Sequence, residues 1–386
     1  MNARPGAEKI PHSSASPLKA FLLSLPMLAI TASMLAGKAA FAAPANIFAY
    51  CVTLIFLNSM FFMMIRSGRT DRYRAVVFIT MAAAAAFSFI SFYLELRGSL
   101  GVSPSEIMQG QVPACHIVLP MLALPAFISK TIVFPGFIAG GYASIGVLAV
   151  VWLAATLALG KGFCGWFCFL GGFEDGFARI FRVPFIKKIH PDLRLLPFAV
   201  LLMAVLTSGY TLTHTYCEWA CPFKMVTEFE QVVSFKLLVQ SVIFVTLFIG
   251  LVVVLPLLTK RRAQCSFFCP FGAMQSLTGK LAPFEIRIEP GKCSRCGKCI
   301  TECPGFNLDM SRLEKGRPYG SCLLCGKCVD VCPEKAVFFH VKGASLSGNL
   351  ELQRVFFLYP AFVFLSGIAG MNIQQAILRL IKIMYG

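Results

Sequence analysis

Six apolar runs, at about 18–36, 43–65, 75–96, 142–160, 195–213 and 237–259, are each long enough to cross a bilayer, and a weaker one lies at 355–371. Nothing else in the chain constrains its fold as much. Inside hydrocarbon a backbone N–H or C=O finds no water, so only helices or a closed barrel can span it. Runs of about twenty residues with few charges read as helices. Composition agrees: 57% of the 386 residues are hydrophobic, 14% are charged, and mean hydropathy is +0.73, where soluble domains carry roughly 25% charged residues. The stretch 116–138 is also apolar, but Pro120, Pro125, Lys130 and Pro135 interrupt it. A broken or re-entrant helix is expected there, buried by protein or lining a cavity.

The basic residues orient these spans. Loops 66–74, 161–194 and 260–262 hold 13 Lys plus Arg, whereas the alternating loops hold only Lys38, Arg97, Lys224 and Lys236. The bias places the first set in the cytoplasm. The formal net charge of +17 is therefore mostly a topology signal. A nucleic-acid partner would call for basic residues interleaved with polar and aromatic ones on a soluble domain, and the sequence has no such region. Residues 18–36 followed by Ala40-Phe41-Ala42 read equally as a signal peptide or as an uncleaved first helix.

Sixteen cysteines supply the chemistry. Cys293, Cys296, Cys299, Cys303 and Pro304 form one C-x2-C-x2-C-x3-C-P motif, and Cys322, Cys325, Cys328, Cys332 and Pro333 form a second, 29 residues on. The spacing resembles that of bacterial two-cluster ferredoxins, in which three thiolates wrap one [4Fe–4S] cubane and the fourth reaches the other. That pattern implies Cys293, Cys296, Cys299 and Cys332 on one cluster, and Cys303, Cys322, Cys325 and Cys328 on the second. Disulfides or structural zinc are the alternatives, and two matching proline-closed repeats weigh against both. This pair of motifs is the one internal repeat the sequence displays.

Six further cysteines fall in three C-x3-C pairs: Cys164 and Cys168, Cys217 and Cys221, Cys265 and Cys269. On a helix, residues i and i+4 share a face, and a disulfide within one regular turn is geometrically poor. The first and third pairs belong to the cytoplasmic side and together are a candidate third cluster site. The middle pair is a candidate outer redox pair. Free cysteine also serves as a small apolar packing residue. Such pairs, followed by a two-cluster module, resemble the membrane polyferredoxins. That group includes the quinol dehydrogenase subunit of periplasmic nitrate reduction, the regulator of nitrous oxide reductase and the accessory protein of cbb3 oxidase assembly. The resemblance covers about 140–340 and implies electron passage between quinone, or a cytoplasmic donor, and an acceptor at the outer face. Phe169 stands where the pattern has proline, there is a third pair rather than two, the first 140 residues match no named pattern, and no flavin-binding domain is apparent.

Among the remaining residues, His116, next to Cys115, and Lys130 are candidate donors to a quinone headgroup, because intramembrane ionisable groups are functional candidates by default. The plainer account has Lys130 snorkelling and His116 in the interface. His214 adjoins the middle pair. Cys51 lies inside a span and reads as packing. Trp166 and Trp219 sit within cysteine pairs, where water exclusion and interfacial anchoring both explain tryptophan. Only five histidines exist and no C-x-x-C-H occurs, so haem is not expected.

The expected fold is an α-helical polytopic membrane protein carrying a small α+β ferredoxin domain. Its divisions are a disordered terminus at 1–17, a membrane domain at 18–262, an amphipathic connector at 263–284, the ferredoxin domain at 285–342 and membrane-associated helix at 343–386. The expected function is iron–sulfur electron transfer between cytoplasmic clusters and quinone or an outer redox partner, within a larger membrane complex. A maturation factor that delivers electrons to metal or thiols, and a redox sensor, are the alternatives.

Overall fold

The computed structural model describes residues 15–37, 40–98, 117, 119–121, 136–138, 141–143, 145–186, 189–211, 215–224, 234–345 and 349–385. The chain opens with three helices, α1 (Pro17–Leu35), α2 (Pro44–Ser67) and α3 (Thr70–Gly98). Pro17 and Pro44 stand where a missing N–H costs nothing, and Ser16 Oγ accepts from Lys19 N–H at 3.3 Å to cap α1. Gly68, with φ 71°, ends α2. A short antiparallel hairpin follows, β1 (Gly136–Ile138) on β2 (Gly141–Ala143), with Phe137 opposite Tyr142. Most of the interrupted stretch at 116–138 lies outside the described residues.

The cysteine-bearing region alternates long spans with short helices. Helix α4 (Ile145–Leu159) leads through Gly160–Gly162 into α5 (Phe163–Trp166) and α6 (Phe169–Phe177). Helix α7 (Leu196–Thr211) precedes the short α8 (Thr215–Trp219). Helix α9 (Phe235–Leu247) continues through a π-helical stretch to Thr259. A π-turn (Gln264–Phe268) then leads into α10 (Pro270–Thr278). In the ferredoxin module, β3 (Phe284–Ile288) pairs antiparallel with β4 (Val337–Val341), Ile286 opposite Phe339. Between them lie α11 (Lys298–Thr301), α12 (Met310–Glu314) and α13 (Lys327–Asp330). The weak C-terminal run proves to be the start of one continuous helix, α14 (Leu350–Tyr385), of 36 residues.

Among the described residues, six helical segments are long and apolar enough to cross a membrane: 17–35, 44–67, 149–166, 192–211, 235–259 and 350–385. Their outward faces expose Phe21, Ile55, Val150, Met203 and Val242, each more than half accessible. That much apolar surface suits lipid rather than water. Helix α14 packs beside α1, α2 and α3: Tyr359 OH donates to Leu23 C=O, Phe61 meets both Tyr359 and Phe362, and Arg354 donates to Met64 C=O. α1 is thus an integrated part of the bundle, with Met27 and Thr31 buried and Thr31 bonded to Asn58 of α2.

The ferredoxin module is seated on the membrane helices by polar contacts made at a distance in sequence. The Asp330 carboxylate accepts from the N–H groups of Thr70, Asp71 and Arg72 at 3.0, 2.8 and 3.3 Å, capping α3 from 260 residues away. Trp166 Nε1 donates to Leu324 C=O at 2.9 Å, and Arg262 N–H donates to Pro304 C=O at 2.9 Å. Gly165 is required there, since a Cβ on it would stand 2.3 Å from the Leu323 carbonyl. Phe357 of α14 completes the seat, stacked on Phe339 at 4.6 Å and edge-on to Trp166 at 5.5 Å.

Candidate iron–sulfur centres

Each repeat of the dicluster motif folds in the same way. Arg295 and Leu324 take φ of 53° and 48°, Gly297 and Gly326 take 74° and 83°, and Phe306 and Lys335 take 56° and 51°. Every one of these pairs is separated by 29 residues. Left-handed residues between cysteines tighten the loop and turn successive N–H groups inward, which makes a concavity suited to an anion. Two cavities result. One is lined by Cys293, Cys296, Cys299 and Cys332. The other is lined by Cys303, Cys322, Cys325 and Cys328. These are the two sets the motif implies, each completed by a cysteine of the other repeat.

The residues fit an iron–sulfur cluster. Asn307 N–H points at Cys303 Sγ at 3.3 Å, a bond that stabilises charge on sulfur. Among the described residues no three His, Cys, Asp or Glu side chains converge as one metal ion would require; the sulfurs are spread around cavities instead. Burial pushes the Cys325 thiol up to about 11, and burial with the neighbouring sulfurs does the same to Cys299. Metal ligation is what lets such buried thiols ionise. The cavities differ in exposure: Cys296 is exposed and Cys293 half-buried, whereas Cys303, Cys325 and Cys328 are buried. Cys299 and Cys332 of the first set are buried as well and Cys322 of the second is half-buried, so the first set differs by the exposed Cys296, while the loop of the second bonds to Trp166.

Under the second cavity lies a buried charge network. Arg74 bridges Asp71 and Asp175 at 2.7 and 2.9 Å, Arg179 reaches both acids, and Arg262 pairs with Asp175 at 2.8 Å. Burial alone would raise Asp175, but Arg179, Arg262 and Arg74 hold it well below the usual carboxylate range. Glu174 accepts from Gln264 and Cys265 N–H at 2.6 and 3.0 Å, yet burial still lifts it to about 7.

The first and third C-x3-C pairs approach each other, with Cys265 in electrostatic reach of Cys168, Cys164 and Cys269, and Cys269 in reach of Cys164. Their local form departs from the expected regular helix. Cys168 and Cys269 are extended N-caps of α6 and α10, and their N–H groups bond five residues back, to Phe163 and Gln264 C=O. Cys221 is buried in the same extended apolar cluster as Cys164, Cys168 and Cys269, and Cys217 packs against that cluster. Thr215 bonds back to Thr207 and Ser208, so α8 returns along the helix it follows. Tyr216 stands between the sites, in reach of Cys269, Cys221 and Cys217, with its hydroxyl bonded to Gln264 and Phe268. Trp166 is buried against the second dicluster loop, while Trp219 is 41% exposed under Lys236. Cys51 is exposed on its helix. Cys115, His116, Lys130 and His214 lie outside the described residues.

Sequence reasoning passed over Lys161, Glu174, Asp175, Tyr216 and Arg262. The signal available was the run of ionisable residues flanking cysteine pairs at the ends of apolar segments.

Membrane helices that carry paired thiols and seat a two-cavity cysteine module are the arrangement that the resemblance to membrane polyferredoxins implies. The comparisons with known proteins agree. A family described as 4Fe-4S dicluster domain matches residues 285–333. One described as 4Fe-4S binding domain matches three times in tandem, at 141–188, 193–239 and 241–289. The cluster motifs are therefore not the sole internal repeat: the membrane region repeats too, once around each C-x3-C pair. Helical identity in lipid-facing runs is too degenerate to reveal this by inspection.

Similar proteins include the putative electron transport protein YccM of Escherichia coli, 26% identical over 42% of this chain and 46% of that protein. The methylamine utilization ferredoxin-type protein MauN of Methylobacillus flagellatus is 26% identical over 48% of this chain and 62% of its own length. The ferredoxin-type protein NapH of Haemophilus influenzae is 27% identical over 44% and 56%. The chain thus spans about half to three-fifths of these relatives. No solved structure matches it. The chain therefore carries 4Fe-4S-type domains together with, among the described residues, six helices long and apolar enough to cross a membrane.

Proposed function

We propose that this protein relays electrons between [4Fe–4S] clusters on the cytoplasmic side and the quinone pool, or a redox partner at the outer face, as a subunit of a larger membrane complex. One observation carries the reading: the cysteine sets form a continuous series. Cys296 opens the first cavity to solvent. Cys328 of the second lies in reach of Cys299 of the first. Lys161 lies in electrostatic reach of Cys322 on one side and of Cys164, Cys265 and Cys269 on the other. Tyr216 then joins Cys269 to Cys217 and Cys221.

Cys293, Cys296, Cys299 and Cys332 would hold the first cluster, Cys303, Cys322, Cys325 and Cys328 the second, and Cys164, Cys168, Cys265 and Cys269 a third. Bound, each cluster supplies a one-electron couple whose potential its surroundings set. The protein's part is to exclude water, with Trp166, Phe357 and Phe339 closing the second site, and to hold cations beside the sulfurs.

In anaerobically purified protein, added quinol should reduce the dicluster EPR signals. Cys164→Ser and Cys265→Ser should each remove one and the same further signal and abolish reduction by quinol while dithionite still reduces the dicluster. The double variant should remove no more, because the two changes act on one site. Full iron in both single variants would sink the third site.

Orientation is supported by where the basic loops go. Thr70, Trp166 and Arg262 come from the three Lys- and Arg-rich loops, and all three bond to the ferredoxin module. A reporter inserted after Gly343 should be active as a cytoplasmic fusion and silent as a periplasmic one. The reverse result would invert the electron path.

A further inference from the structure

The two converging C-x3-C pairs are copies of one unit, 101 residues apart: Cys164 with Cys265, Cys168 with Cys269 and Gly171 with Gly272. Their geometry repeats as well. Cys168 and Cys269 have φ, ψ of −72°, 104° and −83°, 116°. A Cβ on Gly171 would stand 2.9 Å from Cys164 O, and one on Gly272 would stand 2.8 Å from Cys265 O.

Each unit sends a cation across to the other. Arg262, from the second, reaches Asp175 of the first at 2.8 Å and donates to Cys164 C=O at 3.0 Å. Lys161, at the equivalent place in the first, reaches Ser276 of the second at 2.6 Å. Ser276 is the counterpart of Asp175, and Gln275 that of Glu174. So where the acids face Arg262, neutral residues face Lys161. Lys161 is 5% exposed, and among the described residues no carboxylate pairs with it. Its Nζ lies 3.8 Å from the Cβ position of Gly272, at the turn that carries Cys269. The groups of opposite charge in its reach are sulfurs: Cys164, Cys269, Cys265 and Cys322. A buried ammonium without a countercharge is strongly unfavourable, and a cluster held by four thiolates is an anion.

We propose that Lys161 is the shared counter-ion of two iron–sulfur sites, the membrane site of Cys164, Cys168, Cys265 and Cys269 and the second dicluster site, and that it raises the potential of both. This rests on the reading that the membrane cysteines hold a cluster. Adding an electron to an anion is easier beside a fixed positive charge, so Lys161 favours reduction of both neighbours without contacting the first dicluster site.

The test is potentiometric EPR with iron analysis on the full chain. Lys161→Met should lower the midpoints of the third and second signals by about tenfold in the reduction equilibrium, about 59 mV for one electron, and leave the first unmoved. Lys161→Arg keeps the charge and should keep the midpoints. Ser276→Asp, which restores the acid of the other unit, should lower the same two midpoints, and it decides the matter if Lys161→Met fails to assemble. Three clusters with unmoved midpoints in Lys161→Met, or in Ser276→Asp where that variant decides, would overturn the proposal; a shift confined to one signal would overturn the sharing. A Cys164→Ser variant with the same iron content as the wild type would instead remove the underlying reading, and the proposal with it.

Discussion

Cys325→Ala should lose about four of the eight irons of the dicluster module, and Cys296→Ala should lose the other four, since each cubane needs its full set of thiolates. The two losses should differ in consequence. Cys296 is exposed at the outer cavity, whereas Cys325 is buried between the module and the membrane helices, in reach of Asp71, Arg74 and Arg262. Losing the inner site should therefore also loosen the seat of the module, seen as faster proteolysis at the turn of residues 342–345. Wild-type protein exposed to air should lose the outer cluster first, for the same reason of access. Iron and acid-labile sulfide analysis, with EPR, reads all of this. Zinc in place of iron, in protein made where iron–sulfur assembly is intact, would overturn the assignment.

Asp175→Asn should destabilise the protein by about 3–5 kcal/mol, the cost of stranding a buried charge by removing its partner. Arg262 and Arg74 are both fully buried, and Asp175 is the acid that both pair with. Asp192→Asn is the control, because that acid is mostly exposed beside His190, and its loss should change stability by less than about 0.5 kcal/mol. Thermal unfolding in detergent separates the two. Equal melting temperatures for both variants would mean that the network is solvated in a way its burial denies.

Much of this was legible before the structure. The apolar runs found the helices because a bilayer demands length and apolarity together. The dicluster module was legible because eight cysteines recur at one fixed spacing in two matching, proline-closed repeats. The C-x3-C pairs were visible, but their arrangement was not. Sequence spacing describes what lies along one helix, and here the pairs are placed by a π-turn, by extended N-caps at Cys168 and Cys269 and by the bonds of Thr215 back to Thr207 and Ser208. The charged residues were harder still. Lys161 and Arg262 look like ordinary positive-inside residues, and only the packing shows that they point inward, each into the other's repeat.

The contact between Asp330 and the start of α3 has a consequence for how the molecule is made. The first three helices leave the ribosome long before α14 and the ferredoxin module exist. Until then Phe61 lacks Tyr359 and Phe362, the Met64 carbonyl lacks Arg354, and α3 lacks its cap. The chain closes on itself only when its late segments return to its early ones, and contacts so distant in sequence form slowly. Loading of the second cavity completes the same joint, since the loop that holds Leu324 is also the loop that Trp166 grips. Cofactor supply and helix-bundle closure thus become one checkpoint, and a cell short of iron would accumulate an open membrane bundle exposed to quality-control proteases.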